Sequence, residues 1–243
     1  MALYLEISGL TAGYRHRHVL TAVDLRLDAG ERVLLVGPNG SGKSTLLKVI
    51  AGMLPAHQGR IVVGGHDMTC WTARDRISAG IGYLLQSGNC FGSLTVEENL
   101  ELATLGMKDT AHLRERRAWI FGTFPFLAEQ LGRRAGLLSG GQRQALALAM
   151  TLATRSPLLL LDEPTAGLSP VAASSILAGI RKYVEWEQTT VIMVEHRLAE
   201  ALPLVTRIVG MDHGVIGLDE PNPATLLQDR TVLERLYFGS RRE

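Results

Sequence analysis

Val33-Leu34-Leu35-Val36-Gly37-Pro38-Asn39-Gly40-Ser41-Gly42-Lys43-Ser44-Thr45 is the stretch on which the fold turns. Four apolar residues in a row suit a short strand covered on both faces. A glycine-rich loop of the form G-x-x-x-x-G-K-[ST] follows at once. Helical spacing then resumes over residues 44–51 and is closed by Gly52 and Pro55. Strand, glycine loop, helix is the context in which such a loop wraps a phosphate. Its glycines let backbone N–H groups converge on one anion, and the helix start adds its positive dipole end. Gly37, Pro38, Asn39, Gly40, Ser41, Gly42, Lys43, Ser44 and Thr45 are therefore the candidate nucleotide-binding residues. Lys43 is placed for the β- and γ-phosphates, and the Ser44 hydroxyl for Mg²⁺.

Two further stretches sharpen this. Leu158-Leu159-Leu160-Leu161 is a second buried-strand run and ends in Asp162-Glu163. Carboxylates there emerge at the carboxyl edge of the sheet, where ligands of open α/β folds bind. Asp162 is then a Mg²⁺ partner, direct or outer-sphere, and Glu163 is placed to polarise an attacking water. Ser139-Gly140-Gly141-Gln142 precedes a good helical pattern, a second glycine loop at a helix start with Ser139 as its cap. One nucleotide does not need two such loops far apart in one domain. The economical reading is that this loop completes the site of a second subunit.

The 243 residues, 46% hydrophobic and 20% charged, are enough for a sizeable core. A net charge of +1 gives no electrostatic reason to expect nucleic acid. The basic cluster Arg114, Arg116, Arg117 and the pair Arg241-Arg242 read as solvated face or tail. Cys70 and Cys90 make neither a disulfide framework nor a zinc site, and reduced cytosolic thiols are the simplest expectation. The first twenty residues lack a secretory apolar core, and no apolar run approaches the ~18–20 residues that span a bilayer. A membrane role would have to come through a partner.

Strand patterning covers residues 3–8, 25–27, 60–63, 81–85 and 191–194, with a late hairpin at 207–211 and 215–218 around Asp212-His213-Gly214. From Thr95 to about Thr154 the spacing is helical. It starts at a capping box, Thr95-Val96-Glu97-Glu98, and is broken at Pro125, Gly132 and Gly136. Another helix covers 171–187, and the tail from Pro223 is expected to be helical. The fold class is thus α/β: a phosphate-loop NTPase core, with a mixed sheet, flanking helices and an N-terminal antiparallel β part, carrying an inserted helical subdomain. The whole chain forms one domain, with residues 1–86 and 151–243 as core and 87–150 as the insertion.

In these motifs and their order the chain resembles the ATPase subunits of ATP-binding-cassette (ABC) transporters, over essentially its whole length. The resemblance implies further roles. Tyr14 stands where the family stacks an aromatic on adenine. Gln86 stands at the coupling glutamine, touching Mg²⁺ and the γ-phosphate, and His196 at the switch histidine. It also implies a head-to-tail dimer, of identical chains or with a paralogue. Two ATP molecules would lie between Lys43 and Glu163 of one chain and Ser139 to Gln142 of the other. Integral membrane permease subunits, a substrate-binding protein and a peripheral position at the cytoplasmic face of the inner membrane follow from the same likeness. Phe91, Leu94 and Val96 either line the groove that receives a permease helix or belong to local core.

Ala166-Gly167-Leu168-Ser169-Pro170 departs from the commoner family pattern, which has Asp where Ser169 stands. It looks like the branched-chain amino-acid uptake ATPases, as do Glu97-Glu98-Asn99-Leu100 and Leu236-Tyr237-Phe238-Gly239. Several of those ATPases carry Glu at the place of Gln86. Export of a lipid or envelope component and uptake of urea are the alternatives within transport. A soluble cassette protein is the alternative outside it.

Overall fold

The computed structural model describes residues 3–15, 17–86, 89–105 and 110–223. The tail expected beyond Pro223, with the 236–239 and 241–242 sequences, lies outside them. The chain opens with two long strands, β1 (Leu3–Tyr14) and β2 (Arg17–Asp28). β3 (Arg32–Val36), α1 (Lys43–Ile50), β4 (Ala56–Val63), β5 (His66–Asp67), α2 (Ala73–Ser78) and β6 (Ile81–Leu84) follow. Then come the helices α3 (Val96–Ala103), α4 (Thr110–Thr123), α5 (Pro125–Glu129) and α6 (Gly140–Leu152). The chain returns to β7 (Leu158–Asp162), α7 (Pro170–Glu187), β8 (Thr190–Val194), α8 (Leu198–Ala201), β9 (Arg207–Asp212) and β10 (Val215–Glu220).

The strands form two sheets, one antiparallel in the order β2-β1-β4-β5 and one in the order β10-β9-β3-β8-β7-β6. In the second, β9, β3, β8, β7 and β6 run parallel and β10 turns back on β9. The continuous apolar runs are explained by what each face meets. Val33, Leu35, Leu158, Leu160, Ile192 and Val194 pack with α1 and the antiparallel sheet. Their neighbours Leu34, Val36, Leu159, Leu161, Val191 and Met193 pack with the helices on the other side. A strand buried on both faces has no polar alternation to show, and these have none.

The helical segment begins as its sequence predicts. Thr95 accepts the Glu98 N–H at 3.1 Å while Glu98 accepts the Thr95 N–H at 2.7 Å. Asn99, fully buried, accepts from the Phe91 N–H at 2.8 Å and donates to the carbonyls of Phe91 and Thr95. It thereby folds the 91–95 loop onto α3 and leaves Phe91 at the surface, 55% exposed. Val96 is not a groove residue. As the first residue of α3 it points into the core and is fully buried.

Within the basic cluster on α4, Arg114 is exposed as read, but Arg116 differs from a solvated face. Arg116 is 1% exposed. Its guanidinium lies over Trp186 at 4.5 Å and Tyr183 at 5.3 Å, and pairs with Glu187 at 2.9 Å. Trp119, one turn on, stacks on Trp186 with ring centroids 5.5 Å apart. The arginine is buried because α7 supplies two aromatic faces and a carboxylate, a partner no local pattern announces. Arg116→Ala should therefore lower unfolding stability by about 3 kcal/mol, since it strips Glu187 of its buried partner and leaves the aromatic stack unfilled. Urea unfolding is the measurement, and a loss below about 1 kcal/mol, the scale of an exposed pair, would show that the clasp adds nothing.

Candidate active site

Parallel pairing in register brings the ends of three strands side by side. Leu35 of β3 and Asp162 of β7 both pair with Val194 of β8. The residues that follow, Gly37 onward, Glu163, and Glu195-His196, therefore leave the sheet along one edge. The glycine loop sits hard against that edge. Gly37 has φ 144°, and a Cβ there would overlap the Met211 carbonyl of β9. Gly42, at φ 107°, caps α1 with 2.9 Å between a would-be Cβ and the Leu20 side chain. No other residue meets both demands at low cost.

Lys43 is 6% exposed, and its ammonium donates to the carbonyls of Gly37 and Pro38, both at 2.8 Å, with the Ser41 hydroxyl at 3.5 Å. Burial lowers its pKa, and the Glu163 and Asp162 carboxylates pull it partly back. Asp162, 2% exposed, accepts the Ser44 hydroxyl at 2.9 Å and the Tyr83 hydroxyl at 3.3 Å. Burial raises its pKa, against the two hydrogen bonds that favour its charged form. Burial, with the same carboxylate, raises the Tyr83 phenol, which stays the donor.

Glu163 holds a left-handed backbone, φ 50°, uncommon for a residue with a side chain. Its N–H donates to the Val194 carbonyl at 2.9 Å. One carboxylate oxygen accepts Gln86 Nε2 at 2.7 Å, and the other lies 3.1 Å from His196 Nε2. Gln86, Glu163 and His196 thus meet, as do Ser44 and Asp162. A cavity of about 550 Å³ is lined by Tyr14, Asn39, Gly40, Gly42, Lys43, Ser44, Thr45 and Glu163. Tyr14 is 45% exposed there, its hydroxyl 3.5 Å from Lys48 Nζ.

Ser139, Gly140, Gly141 and Gln142 are not among the cavity's lining residues. They form their own capping box, with Ser139 accepting the Gln142 N–H at 3.2 Å and the Gln142 side chain accepting the Ser139 N–H at 3.0 Å. Other residues reach the site with no motif to mark them. Arg17, His18, Val19 and His213 also line the cavity, and Tyr83 holds Asp162. For Arg17 the one signal is the β1–β2 hairpin, which pairs it with Tyr14.

Residues 20–166 match the ABC transporter family, and the chain belongs to it. It is similar to a probable branched-chain amino acid transport ATP-binding protein, LivF, of Archaeoglobus fulgidus, 41% identical over 95% of this chain and 96% of that one. The thiamine import ATP-binding protein ThiQ of Photorhabdus laumondii subsp. laumondii is 35% identical over 88% and 89%. Among solved structures, a dimeric post-hydrolysis state of an ATP-binding cassette bound to ADP and Pi superposes with a TM-score of 0.78. It is 26% identical and covers 89% of this chain and 98% of that one. The chain is thus the ATP-binding subunit of an ABC transporter, a phosphate-loop ATPase.

Lys43→Ala should raise the ATP dissociation constant by about 100-fold, because a buried charge-assisted contact to phosphate is lost. Titration with a fluorescent nucleotide measures this, and an unchanged constant would remove the loop from nucleotide binding.

Proposed function

We propose that this ATPase drives a solute, in the first instance a branched-chain or other hydrophobic amino acid, across a membrane through permease subunits. The observation that carries the chemistry is Glu163 gripped by Gln86 and His196 on the wall of the Lys43 cavity. The amino-acid cargo is supported by the LivF relative, although the thiamine relative shows that similar cassettes serve other cargo.

In this reading ATP lies along the glycine loop. Its adenine meets Tyr14, and the loop N–H groups and the α1 dipole hold the phosphates. Lys43 exchanges its carbonyl partners for β- and γ-phosphate oxygens, a stronger acceptor. The Ser44 hydroxyl, the Gln86 carbonyl oxygen and the Asp162 carboxylate are hard oxygen donors suited to Mg²⁺. When bound, that ion neutralises charge developing on the phosphates. Glu163 orients and deprotonates the attacking water, and His196 marks the γ-phosphate.

The chain works as one cassette, residues 1–243 with the helical segment 87–150. It pairs with a second cassette, identical or paralogous, whose Ser139-Gly140-Gly141-Gln142 loop closes over the nucleotide. Loss of the γ-phosphate removes the contacts that favour the closed pair, a population shift that opens it. Among the described residues no helix is long and apolar enough to cross a membrane. The proposed position is peripheral, at the cytoplasmic face of the inner membrane. Permease subunits and a substrate-binding protein are the partners, with no role for nucleic acid.

Glu163→Gln keeps the contact to Gln86 but cannot take a proton. ATP affinity should stay within about twofold while turnover falls by about 10²-fold or more. The same variant should shift from monomer to dimer with ATP-Mg²⁺ in light scattering, and leucine uptake in vesicles with the permease should stop. Turnover above about a tenth of wild type would falsify the base assignment, a persistent ATP-bound monomer the identical pair, and leucine-independent transport the cargo.

A further inference from the structure

β8 leads into a glutamate that the roles above do not use. Glu195 is 3% exposed. Its Oε2 accepts the Thr165 hydroxyl at 2.7 Å, and its Oε1 accepts the backbone N–H groups of His196 at 2.8 Å and Arg197 at 3.2 Å. Thr165 is as deeply buried, at 1%. A buried carboxylate that satisfies both its oxygens within the protein is held in one arrangement, because every alternative leaves a polar group unpaired.

The two sides of this contact belong to different loops. Thr165 sits in the turn that follows Glu163, where the Ala166 N–H donates to the Glu163 carbonyl at 3.1 Å and the Leu168 N–H to that of Thr165 at 3.2 Å. The accepted N–H groups belong to His196 and its successor. The Arg197 guanidinium returns to the first loop by donating to the Leu168 carbonyl at 3.0 Å. Among the described residues, backbone pairing here is the Glu163 N–H to Val194 carbonyl bond at the strand ends. Beyond it, the side chain of Glu195 ties one loop's course to the other's.

We infer that Glu195 is a positioning residue: with Thr165 it sets where the His196 imidazole stands relative to the Glu163 carboxylate, and so governs turnover rather than nucleotide affinity. The inference rests on the reading of Glu163 as base. Glutamine at 195 retains size and one oxygen, but its NH2 group cannot accept, so the Thr165 hydroxyl or the two N–H groups lose their acceptor. Valine at 165 removes the hydroxyl from the other end, whereas serine preserves it.

The test is ATPase kinetics, equilibrium ATP binding and the unfolding midpoint for Glu195→Gln, Thr165→Val, their combination and Thr165→Ser. The expected result is a fall in kcat of about tenfold for each of the first two, with KM and ATP affinity within about twofold. The combination should be no worse than either alone, and Thr165→Ser should stay near wild type. Wild-type kcat in Glu195→Gln, losses that multiply in the combination, or a loss confined to ATP affinity would each overturn the inference. If Glu195→Gln does not fold, Thr165→Val carries the decision, and its normal kcat overturns the proposal. A Glu163→Gln control that still turns over would instead sink the base assignment, so the two failures are distinct.

Discussion

The site depends on one constraint, the parallel register in which β8 lies between β3 and β7. With Leu35 and Asp162 both opposite Val194, three chain segments leave the sheet at the same level. A slip of one residue in β7 would reverse which of its side chains face α1 and which face the helical side. The register is held because both faces of these strands are buried in different surroundings. Burial of the leucine runs thus does more than stabilise the fold: it sets the heights at which a lysine loop, two acids and a histidine emerge.

Charge at that edge is balanced by short contacts instead of solvent. Lys43 is satisfied by two backbone carbonyls, and Asp162 by two hydroxyls. Among the described residues neither has an opposite full charge in direct contact, so each would keep a capacity for a phosphate oxygen or a cation. Burial accordingly disfavours the charged form of both, lowering the lysine and raising the aspartate. The contact of Gln86 with Glu163 is as short, 2.7 Å, but lies exposed to solvent, where water competes for both groups.

What the sequence made legible was local in origin. The strand–loop–helix motif, the Thr95 capping box, the helix break at Pro125 and the late hairpin need only nearby residues, and each appears where the pattern puts it. The small β5 and α2 were not anticipated, although Thr72 and Asp75 cap α2 reciprocally. Of the two readings left open for Val96 the structure gives local core, and Arg116 was misread because its surroundings come from α7. Glu195, Thr165 and Tyr83 escaped for the same reason: each acts through a partner remote in sequence. A carboxylate beside a histidine looks like a polar loop until its donors are known.

The second glycine loop is where one chain's account becomes incomplete. α6 is anchored within its own chain: Gln144 donates to the Pro164 carbonyl at 2.9 Å, and a Cβ on Gly141 would lie 2.9 Å from Ala172 of α7. The helix that carries Ser139 is therefore tied to the loop just past Glu163, while its own glycine loop lies outside the Glu163 cavity. Under the proposed paired arrangement, a nucleotide pressing on this loop from the other cassette would push on a helix fastened beside this cassette's Glu163. Pro164 and Thr165 are adjacent, so under the proposed pairing such a displacement would reach Glu195 and then His196 through contacts already formed. The two sites of a pair would then be coupled through the loop after Glu163, by a route made of short hydrogen bonds.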